Sequence, residues 1–294
     1  MLEDFESLII RTLRKKRDWI GNDAVLIDNI LLTTDSFVEG VHFTPSYFSY
    51  YDIGYKALAS ALSDIAAEGG KPIWYLLNLG LRSTNTIEDV NSLFQGMKEL
   101  EDRYSIKLIG GDTFRSPALI LSIAVGGRSS NPITRNGAKI GNYLYITGNI
   151  GGSKMGLYAL INEIDSPITR YHLRPEIRCR EGLYLNENYR ITSMLDVSDG
   201  LLIDSHHLSA ESNKRLDIES QKIPLCPECK DFAEKYSLDL REIILTSGEE
   251  FELLFTSPDE IKEDFVHWIG KVSEGNGVYI DGKESSPRGY RHFT

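Results

Sequence analysis

The chain has 294 residues, a formal net charge of −11 at pH 7, and 41% hydrophobic and 10% aromatic residues. This length exceeds that of a usual single-core domain, so we expect two folded domains rather than one, and the composition argues against disorder. The acidic excess argues against a nucleic-acid or anionic-membrane partner, because both are polyanions. If the substrate carries phosphate, bound divalent cations are the simplest way to screen it from the carboxylates.

The first 19 residues predict an amphipathic surface helix, because apolar residues recur at helical spacing at Leu2, Phe5, Leu8, Ile9 and Leu13. This segment opens with acidic residues and has no unbroken apolar core, which is unlike a signal peptide. No apolar run reaches the length needed to span a membrane. We therefore expect a cytoplasmic protein without a membrane partner.

The three cysteines, Cys179, Cys226 and Cys229, do not predict a disulfide framework. Cys226 and Cys229 have the spacing of a zinc-binding pair. No second pair of Cys or His follows at a fitting distance, so a structural zinc ion is the less favoured interpretation.

The N-terminal half alternates strands and helices, as α/β or α+β domains do. In chain order, the predicted elements are a strand–turn–strand unit over 24–35 that turns at Asp28 and Asn29, a helix from Asp52 that ends at Gly69 and Gly70, a strand over 73–81, a helix over 86–104, a short strand over 107–113 that breaks at its two glycines, and a strand over 118–127.

A polar segment rich in Gly, Asn and Pro, residues 129–142, predicts a domain boundary, and we place the two domains at 1–136 and 137–294. The predicted elements of the second domain are a strand over 143–147, a glycine-rich turn over 148–156 that opens a helix, a helix through 181–189, a helix after Gly200 within 191–212, and strands near 243–246 and 251–256.

Five aspartates occupy the same kind of position, at the edge of an apolar run and beside Gly, Ser or Thr: Asp23, Asp35, Asp112, Asp196 and Asp199. Carboxylates at such edges project into the crevice that open α/β sheets use for ligands. Any single one is most often only a turn or cap residue. The five together, with Thr33 and Thr34 as further oxygen ligands, indicate Mg²⁺ chemistry.

Asp64 is the only charged residue within 59–67 of a predicted helix. It shares a helix face with Ala57, Ser60 and Ala61, so a closely packed neighbour can approach it. An ionised carboxylate on such a face is costly unless it is paired or bound to a metal. A salt bridge to an Arg and metal ligation are equally open interpretations.

Two segments have the form of a helix N-terminus that could bind phosphate. Ser198 or Asp199 could cap the helix that follows, and the free N–H groups there could also bind an anion. The turn over 148–156 follows a strand and opens a helix, but it matches neither the Walker A spacing nor GxGxxG. A tight strand-to-helix turn is the favoured interpretation of that segment.

Eight short motifs resemble thiamine-monophosphate kinases in the same order: GNDAVLI, TTDSFVEGVHF, KALASALSDIAAEGGKP, KLIGGDTFRSP, TRNGAKIGNYLYITGNIG, LDVSDGLLID, SGEEFELLFT and GYRHF. They extend from Gly21 to Phe293, nearly the whole chain. The resemblance implies the two-domain α/β (α+β) fold of the aminoimidazole ribonucleotide synthetase-like superfamily. In that fold the N-terminal sheet forms a barrel with the sheet of a second subunit, a C-terminal α/β domain follows, and ATP lies in the cleft between the domains.

The implied activity is phosphorylation of thiamine phosphate to thiamine diphosphate by direct in-line transfer from ATP, in a homodimer that uses several Mg²⁺ ions and releases ADP. The implied Mg²⁺ ligands are Asp23, Thr33, Thr34, Asp35, Asp64, Asp112, Asp196 and Asp199. The implied ATP contacts are Gly111, Asp112, Arg135 and Ser198. The implied contacts to thiamine phosphate are His42, Glu249 and Tyr290. Among these, the implied catalytic residues are Asp64, Asp112, Asp196 and Arg135.

Three positions depart from the family pattern. Asn22 replaces the first of two paired acids, Asn142 replaces the acid that ends a GAKxGD turn, and 247–251 replaces Gly-Gly-Asp/Glu-Asp-Tyr. Two alternatives stay open. A superfamily relative with another acceptor is disfavoured because selenophosphate synthetase needs an N-terminal Cys or selenocysteine, whereas the first cysteine here is Cys179. An inactive sensor would be expected to lose a metal-binding aspartate.

Overall fold

The computed structural model describes residues 5–14 and 20–292. Helix α1 (Phe5–Arg14) confirms the central part of the predicted N-terminal helix. Residues 1–4 and 15–19 of that prediction, and Phe293 of the last motif, lie outside the described residues. Over the described ranges, no helix combines the length and the apolar character needed to cross a lipid bilayer.

A five-stranded sheet forms the N-terminal half, in the order β1-β2-β5-β3-β4. Only the β3–β4 pair is parallel; the other three pairs are antiparallel. The turn between the first two strands lies at Asp28 and Asn29, whose φ angles are 48° and 65°, as a tight hairpin requires. The strands are β1 (Val25–Ile27), β2 (Ile30–Val38), β3 (Lys71–Leu81), β4 (Lys107–Arg115) and β5 (Ile120–Arg128).

Helix α2 (Tyr50–Ala67) packs on one face of this sheet, and helix α3 (Ile87–Tyr104) packs against α2. Helix α2 begins two residues before the predicted Asp52, because the Ser49 side chain caps it by accepting from the Asp52 amide. A Cβ atom on Gly54 would lie 2.0 Å from the Leu93 carbonyl oxygen. The absence of a side chain there therefore allows α2 and α3 to approach closely.

The prediction that the strand after Lys107 breaks at its glycines is wrong. Strand β4 continues through Gly110 and Gly111 to Arg115, and every residue of it is exposed. Gly111 has φ +151°, and a Cβ atom there would lie 1.8 Å from the Leu77 carbonyl oxygen of β3. The glycines thus do not end the strand. They allow this edge strand to continue close beside β3, where the register between the two strands is irregular.

The C-terminal half contains a seven-stranded sheet in the order β12-β11-β8-β10-β6-β9-β7. Its strands are β6 (Tyr143–Thr147), β7 (Ser193–Asp196), β8 (Arg215–Ile218), β9 (Leu253–Ser257), β10 (Val266–Ser273), β11 (Gly277–Ile280) and β12 (Lys283–Ser285). Its helices are α4 (Gly152–Ile161), α5 (Thr169–Leu173), α6 (Cys179–Asn188), α7 (Leu201–Ser212), α8 (Cys229–Lys235) and α9 (Leu240–Thr246), with a 3₁₀ turn at Ser220–Lys222.

The prediction of a strand near 243–246 is wrong, because that segment belongs to helix α9. The Asp239 side chain accepts from the Glu242 amide at 3.1 Å and caps this helix. The apolar run from Ile243 to Leu245 is too short for its periodicity to separate a buried helix from a strand. The cap, rather than the apolar run, distinguishes the two.

Helix α2 is buried between the two halves of the chain. One apolar cluster joins its side chains and the first sheet to Tyr145, Met194 and Phe255 of the second half. A second cluster, which includes Leu195 and Ile269, lies within the second half alone. The boundary at 136/137 falls in the connection between β5 and β6 and stays a prediction.

The expectation for the cysteines needs one correction, because Cys226 and Cys229 form a disulfide bond. Cys229 begins α8 and Cys226 lies three residues before it, with their Cα atoms 5.2 Å apart, within the range that a disulfide spans. Cys179 is a buried free thiol. The two sulfur atoms are therefore bonded to each other rather than arranged as zinc ligands.

Candidate active site

A cavity of about 880 Å³ is lined by residues from both halves of the chain. It contains acidic, cationic and aromatic groups in one space, which is typical of a site for a charged organic ligand. The acidic lining residues include Asp35, Asp64, Asp196, Asp199 and Glu249; the cations are Lys154, Arg288 and Arg291; the ring-bearing residues include His42, Tyr47, His172, Tyr290 and His292.

Three of the predicted metal ligands converge beside this cavity. One carboxylate oxygen from each of Asp23, Asp64 and Asp196 lies within 4.8 Å of the others. Asp23 precedes β1, Asp64 lies on α2, and Asp196 ends β7, so three distant parts of the chain meet at one point. The Asp23 side chain is 3% exposed and Asp196 is 3% exposed. This is a buried, concentrated negative charge.

Hydroxyl groups orient these carboxylates. Thr33 Oγ1 donates to Asp64 Oδ2 at 2.5 Å, and Ser63 Oγ donates to Asp196 Oδ2 at 2.6 Å. Ser60 of α2 donates to Asp35 of β2. Thr33 and Asp35 both reach α2 because alternate residues of a strand share a face. Asp64 and Asp196 are each held through Oδ2, and a carboxylate oxygen has lone pairs for a further ligand.

Burial and like charge make this cluster costly when it is fully ionised. Burial, and then the neighbouring Asp23 carboxylate, raise the pKa of Asp196 to about 7. Burial raises the pKa of Asp64 well above its ordinary value, and Asp196, Asp23 and Asp35 add to the shift. Carboxylate and hydroxyl oxygens in this density are the donor set that Mg²⁺ prefers. The residues present thus fit a divalent cation.

Arg135 supplies the positive charge that the sequence led us to expect near these acids. Its Nε donates to Asp23 Oδ2 at 3.1 Å, and its Nη2 donates to Oδ1 of the same carboxylate. The backbone amide of Arg135 also donates to Asn22 Oδ1 at 3.2 Å. The side chain of Asn22, which departs from the family pattern, therefore has a hydrogen-bond partner. In the described part of the chain the arginine pairs with Asp23, and no salt bridge to Asp64 is present. Metal ligation is therefore the better supported interpretation of Asp64.

Three predicted ligands lie away from the three-aspartate cluster. Gly111 and Asp112 are exposed on β4, which is separated from β2 by β5 and β3. At about 4.8 Å between neighbouring strands, that distance is roughly 14 Å. Thr34 is exposed, and it points to the opposite face of β2 from Thr33 and Asp35. Their roles stay predictions.

The segment at Ser198 and Asp199 lines the cavity, but the predicted cap is wrong. The N-cap of α7 is Gly200, and no side-chain hydrogen bond is made from that position. The side chain of Asp204 instead accepts from the amides of Asp199 and Gly200, at 3.1 and 3.0 Å. A carboxylate from inside the helix thus holds the segment that precedes it.

The favoured interpretation of the glycine-rich turn is supported, because a protein carboxylate occupies its amides. Glu250 Oε1 accepts from the Gly151 and Ser153 amides, at 2.8 and 3.2 Å, at the start of α4. Burial raises the pKa of Glu250 to about 8. The N-terminus of α4 is thus already bound to an internal carboxyl group rather than open to a phosphate.

The residues expected to hold the organic substrate lie together in the cavity: His42, Glu249 and Tyr290. His42 Nδ1 accepts from the Val38 amide at 3.1 Å, and burial lowers the pKa of this imidazole. The ring of His292 lies 5.4 Å from that of His42 and 5.0 Å from that of Tyr290. Glu249 therefore faces a surface of three rings, an arrangement suited to a cationic heteroaromatic group.

Sequence reasoning missed two buried groups beside Glu249. Lys56 of α2 is fully buried and donates to Glu249 Oε2 at 2.8 Å, and His172 of α5 is also buried. The sequence does carry a signal for the lysine, because it is the only cation in the apolar segment 53–67. A lysine in such a position is rare unless it is paired.

Comparison with known proteins places the chain in a family. The family AIR synthase related protein, N-terminal domain, matches residues 21–129. A thiamine-monophosphate kinase of Aquifex aeolicus is 35% identical over 97% of this chain and 96% of its own length. One of Pyrococcus horikoshii is 32% identical over 98% of this chain and 96% of its own length.

Solved structures agree with that placement. A structure described as AaThiL complexed with AMPPCP and TMP matches with a TM-score of 0.94 at 32% identity, covering 99% of this chain and 97% of that chain. A HypE–HypF complex shares the fold at 21% identity and a TM-score of 0.75. The resemblance and the two-domain fold are confirmed. The chain therefore belongs to the thiamine-monophosphate kinase family, and it is an enzyme of the kinase class.

Proposed function

We propose that this protein transfers the γ-phosphoryl group of ATP to thiamine phosphate, giving thiamine diphosphate and ADP, with Mg²⁺ bound by its aspartates. One observation carries the proposal: Asp23, Asp64 and Asp196 converge beside a cavity that also contains Glu249 and three aromatic or imidazole rings. A relative with a TM-score of 0.94 is described as complexed with AMPPCP and TMP, an ATP analogue and the expected acceptor.

The metal ions have an evident set of ligands in this proposal. Asp23, Asp64 and Asp196 offer carboxylate oxygens within 4.8 Å of one another, and Asp35 and Asp199 line the same cavity. When bound there, Mg²⁺ supplies the positive charge that lets two polyanionic phosphates approach each other. The protein's part is to hold the carboxylates in place, through Thr33, Ser60 and Ser63.

The transfer itself needs little proton chemistry. A phosphate oxygen of the acceptor is already ionised near neutral pH, so we propose direct in-line attack with no strong general base and no phosphorylated enzyme intermediate. Arg135, whose guanidinium lies against Asp23, is placed to exchange that carboxylate for an ATP phosphate. Ser198 lines the cavity and is the proposed second contact to ATP. Alignment and charge neutralisation then provide most of the rate.

A second copy of the chain completes the site in this proposal. The face of the N-terminal sheet opposite α2 and its edge strand β4 are uncovered, and apolar residues there are 36 to 57% exposed: Leu76, Leu108, Ile109 and Phe114. Asp112 lies on that strand, too far along the sheet to reach the cluster of its own chain. A barrel formed by two N-terminal sheets would cover this surface, and Asp112, Gly111 and Thr34 would then act across the dimer.

The test is ADP production from ATP and Mg²⁺ with a panel of acceptors: thiamine, thiamine phosphate and formylglycinamidine ribonucleotide. We expect release of ADP that depends on thiamine phosphate alone. Stimulation by formylglycinamidine ribonucleotide instead would support a superfamily relative with another acceptor. Tight binding of thiamine phosphate without ADP release would support an inactive sensor and contradict the proposed reaction.

A further inference from the structure

Lys56 is an unusual residue in this fold, because its whole side chain is buried in the centre of the molecule. Its exposed fraction is 0%, and it lies on α2 beside the cavity. Burial of an ammonium group is costly unless partners replace water. Burial lowers the pKa of Lys56, while the neighbouring Glu249 carboxylate opposes that shift. The free-energy cost of burying this ammonium group makes Lys56 a candidate for a functional role.

The partners of Lys56 point to that function. Its Nζ donates to Glu249 Oε2 at 2.8 Å and lies 3.3 Å from both ring nitrogens of His172. It also lies 5.4 Å from the centroid of the Phe48 ring. Ser153 Oγ lies 3.1 Å from His172 Nδ1, so the imidazole also has a hydrogen-bond partner on α4. The ammonium is therefore held by groups from three different elements.

Glu249 is the most exposed member of this network. Its side chain is 31% exposed, whereas those of Lys56 and His172 are 0% and 3% exposed. Its backbone is also constrained: φ is +54°, and its amide donates to the Ser198 carbonyl oxygen at 2.7 Å. Within the described residues, Lys56 is the only hydrogen-bond donor to this carboxylate, and it binds through Oε2. The Glu249 carboxylate is therefore anchored through Oε2, and this anchor fixes the direction in which Oε1 points.

We propose that Lys56, supported by His172, is a positioning residue that fixes the Glu249 carboxylate against the cationic ring system of the acceptor. This inference rests on the proposed function, because it assumes that Glu249 contacts thiamine phosphate. A charged hydrogen-bond donor gives the carboxylate one orientation, so that less freedom is lost when the substrate binds. His172 lies beside the ammonium, and its Nδ1 is 3.5 Å from the same Oε2 of Glu249. Burial and then the Lys56 charge lower the pKa of His172 well below its ordinary value, so that the ammonium is the charged partner of the carboxylate.

The test is a double-mutant cycle between Lys56→Met and Glu249→Gln, with steady-state kinetics for each substrate. We expect each single change to raise the KM for thiamine phosphate by about 10- to 100-fold, the effect of losing a charged hydrogen bond. The KM for ATP should stay the same, because neither substitution changes the side chain of Arg135 or Ser198, the proposed ATP contacts. In the Glu249→Gln background, Lys56→Met should change the KM for thiamine phosphate less than about twofold, because its effect acts through Glu249.

A matched control distinguishes positioning from a general loss of stability. Arg178→Met removes a buried cation from Glu252, whose oxygens it binds at 2.6 and 2.7 Å, outside the cavity. It should lower the melting temperature and leave the KM for thiamine phosphate unchanged. An equal rise in KM for Arg178→Met, or an unchanged KM for Lys56→Met, overturns the proposal.

A binding measurement separates failure of this inference from failure of the proposed function. Calorimetric titration of thiamine phosphate, with Mg²⁺ and a non-hydrolysable ATP analogue present, should show the same 10- to 100-fold weakening for Lys56→Met. Wild-type binding without turnover would overturn the proposed reaction while the variant still tests the positioning role. No binding by the wild type would overturn both.

Discussion

The two ends of the cavity, one at Asp64 and Asp196 and the other at Glu249, differ in whether their carboxylates have a cationic partner. At the aspartate end, Asp64 and Asp196 form no salt bridge within residues 5–14 and 20–292, and burial and neighbouring carboxylates raise their pKa values. At the acceptor end, the Glu249 carboxylate is matched by the buried ammonium of Lys56. An unmatched cluster favours the binding of ions from solution, whereas a matched pair favours a fixed orientation. In the proposed function, cations bound at the aspartate end would allow a protein of net charge −11 to bind phosphate compounds.

The largest effect is expected for Asp64→Ala, which removes a proposed metal ligand from the aspartate end. We expect turnover to fall by roughly 1000-fold or more, since the metal ions provide most of the charge stabilisation. The fold should survive without Mg²⁺, because the change relieves like-charge repulsion rather than breaking a salt bridge. Circular dichroism and the melting temperature check the fold, and activity close to that of the wild type would refute the metal role of Asp64.

A second prediction concerns Glu250, a buried acid that is matched by amides and a hydroxyl rather than by a cation. Its pKa in the folded protein is raised to about 8 from an ordinary value of 4.5. Between those values the folded state keeps a proton that the unfolded state releases, so the contribution to stability falls as pH rises through this window. Glu250→Gln should remove that loss, which amounts to about 5 kcal/mol at most.

Urea unfolding of the wild type and Glu250→Gln at intervals from about pH 5 to pH 8.5 measures this difference. Glu274→Gln, at an exposed position, serves as the control and should follow the wild type. If the difference in unfolding free energy between Glu250→Gln and the wild type stays constant across this range, the raised pKa is contradicted.

The smallest expected effect comes from Ser63→Ala, which leaves the charges of the aspartate end intact but removes the hydroxyl that donates to Asp196. Loss of one such hydrogen bond is worth about 1 kcal/mol, or a fivefold weaker apparent affinity for Mg²⁺. Titration of activity with Mg²⁺ measures this change. An effect as large as that of Asp64→Ala would mean that Ser63 itself binds the metal.

Local patterns in the sequence predicted most of the N-terminal half. The hairpin at Asp28 and Asn29, the helix after Thr86 and the strands on either side of it follow from turn residues, caps and periodicity. The errors occurred where the signal was short or had two meanings. Gly110 and Gly111 indicated the end of a strand, but in the structure they permit close pairing of β4 with β3. The apolar run in α9 was equally compatible with a strand and a helix.

The sequence by itself determined which residue types were available for the site: aspartates at the edges of apolar runs, Asp64 and Lys56 within a buried helix, and the order of the family motifs. Only the tertiary structure decided which of them meet. It brought Asp23 and Asp196 to Asp64, placed Asp112 on a distant strand, and paired Lys56 with a carboxylate 193 residues away. The physical reason is that local patterns depend on neighbours along the chain, whereas matching of buried charge depends on neighbours in space.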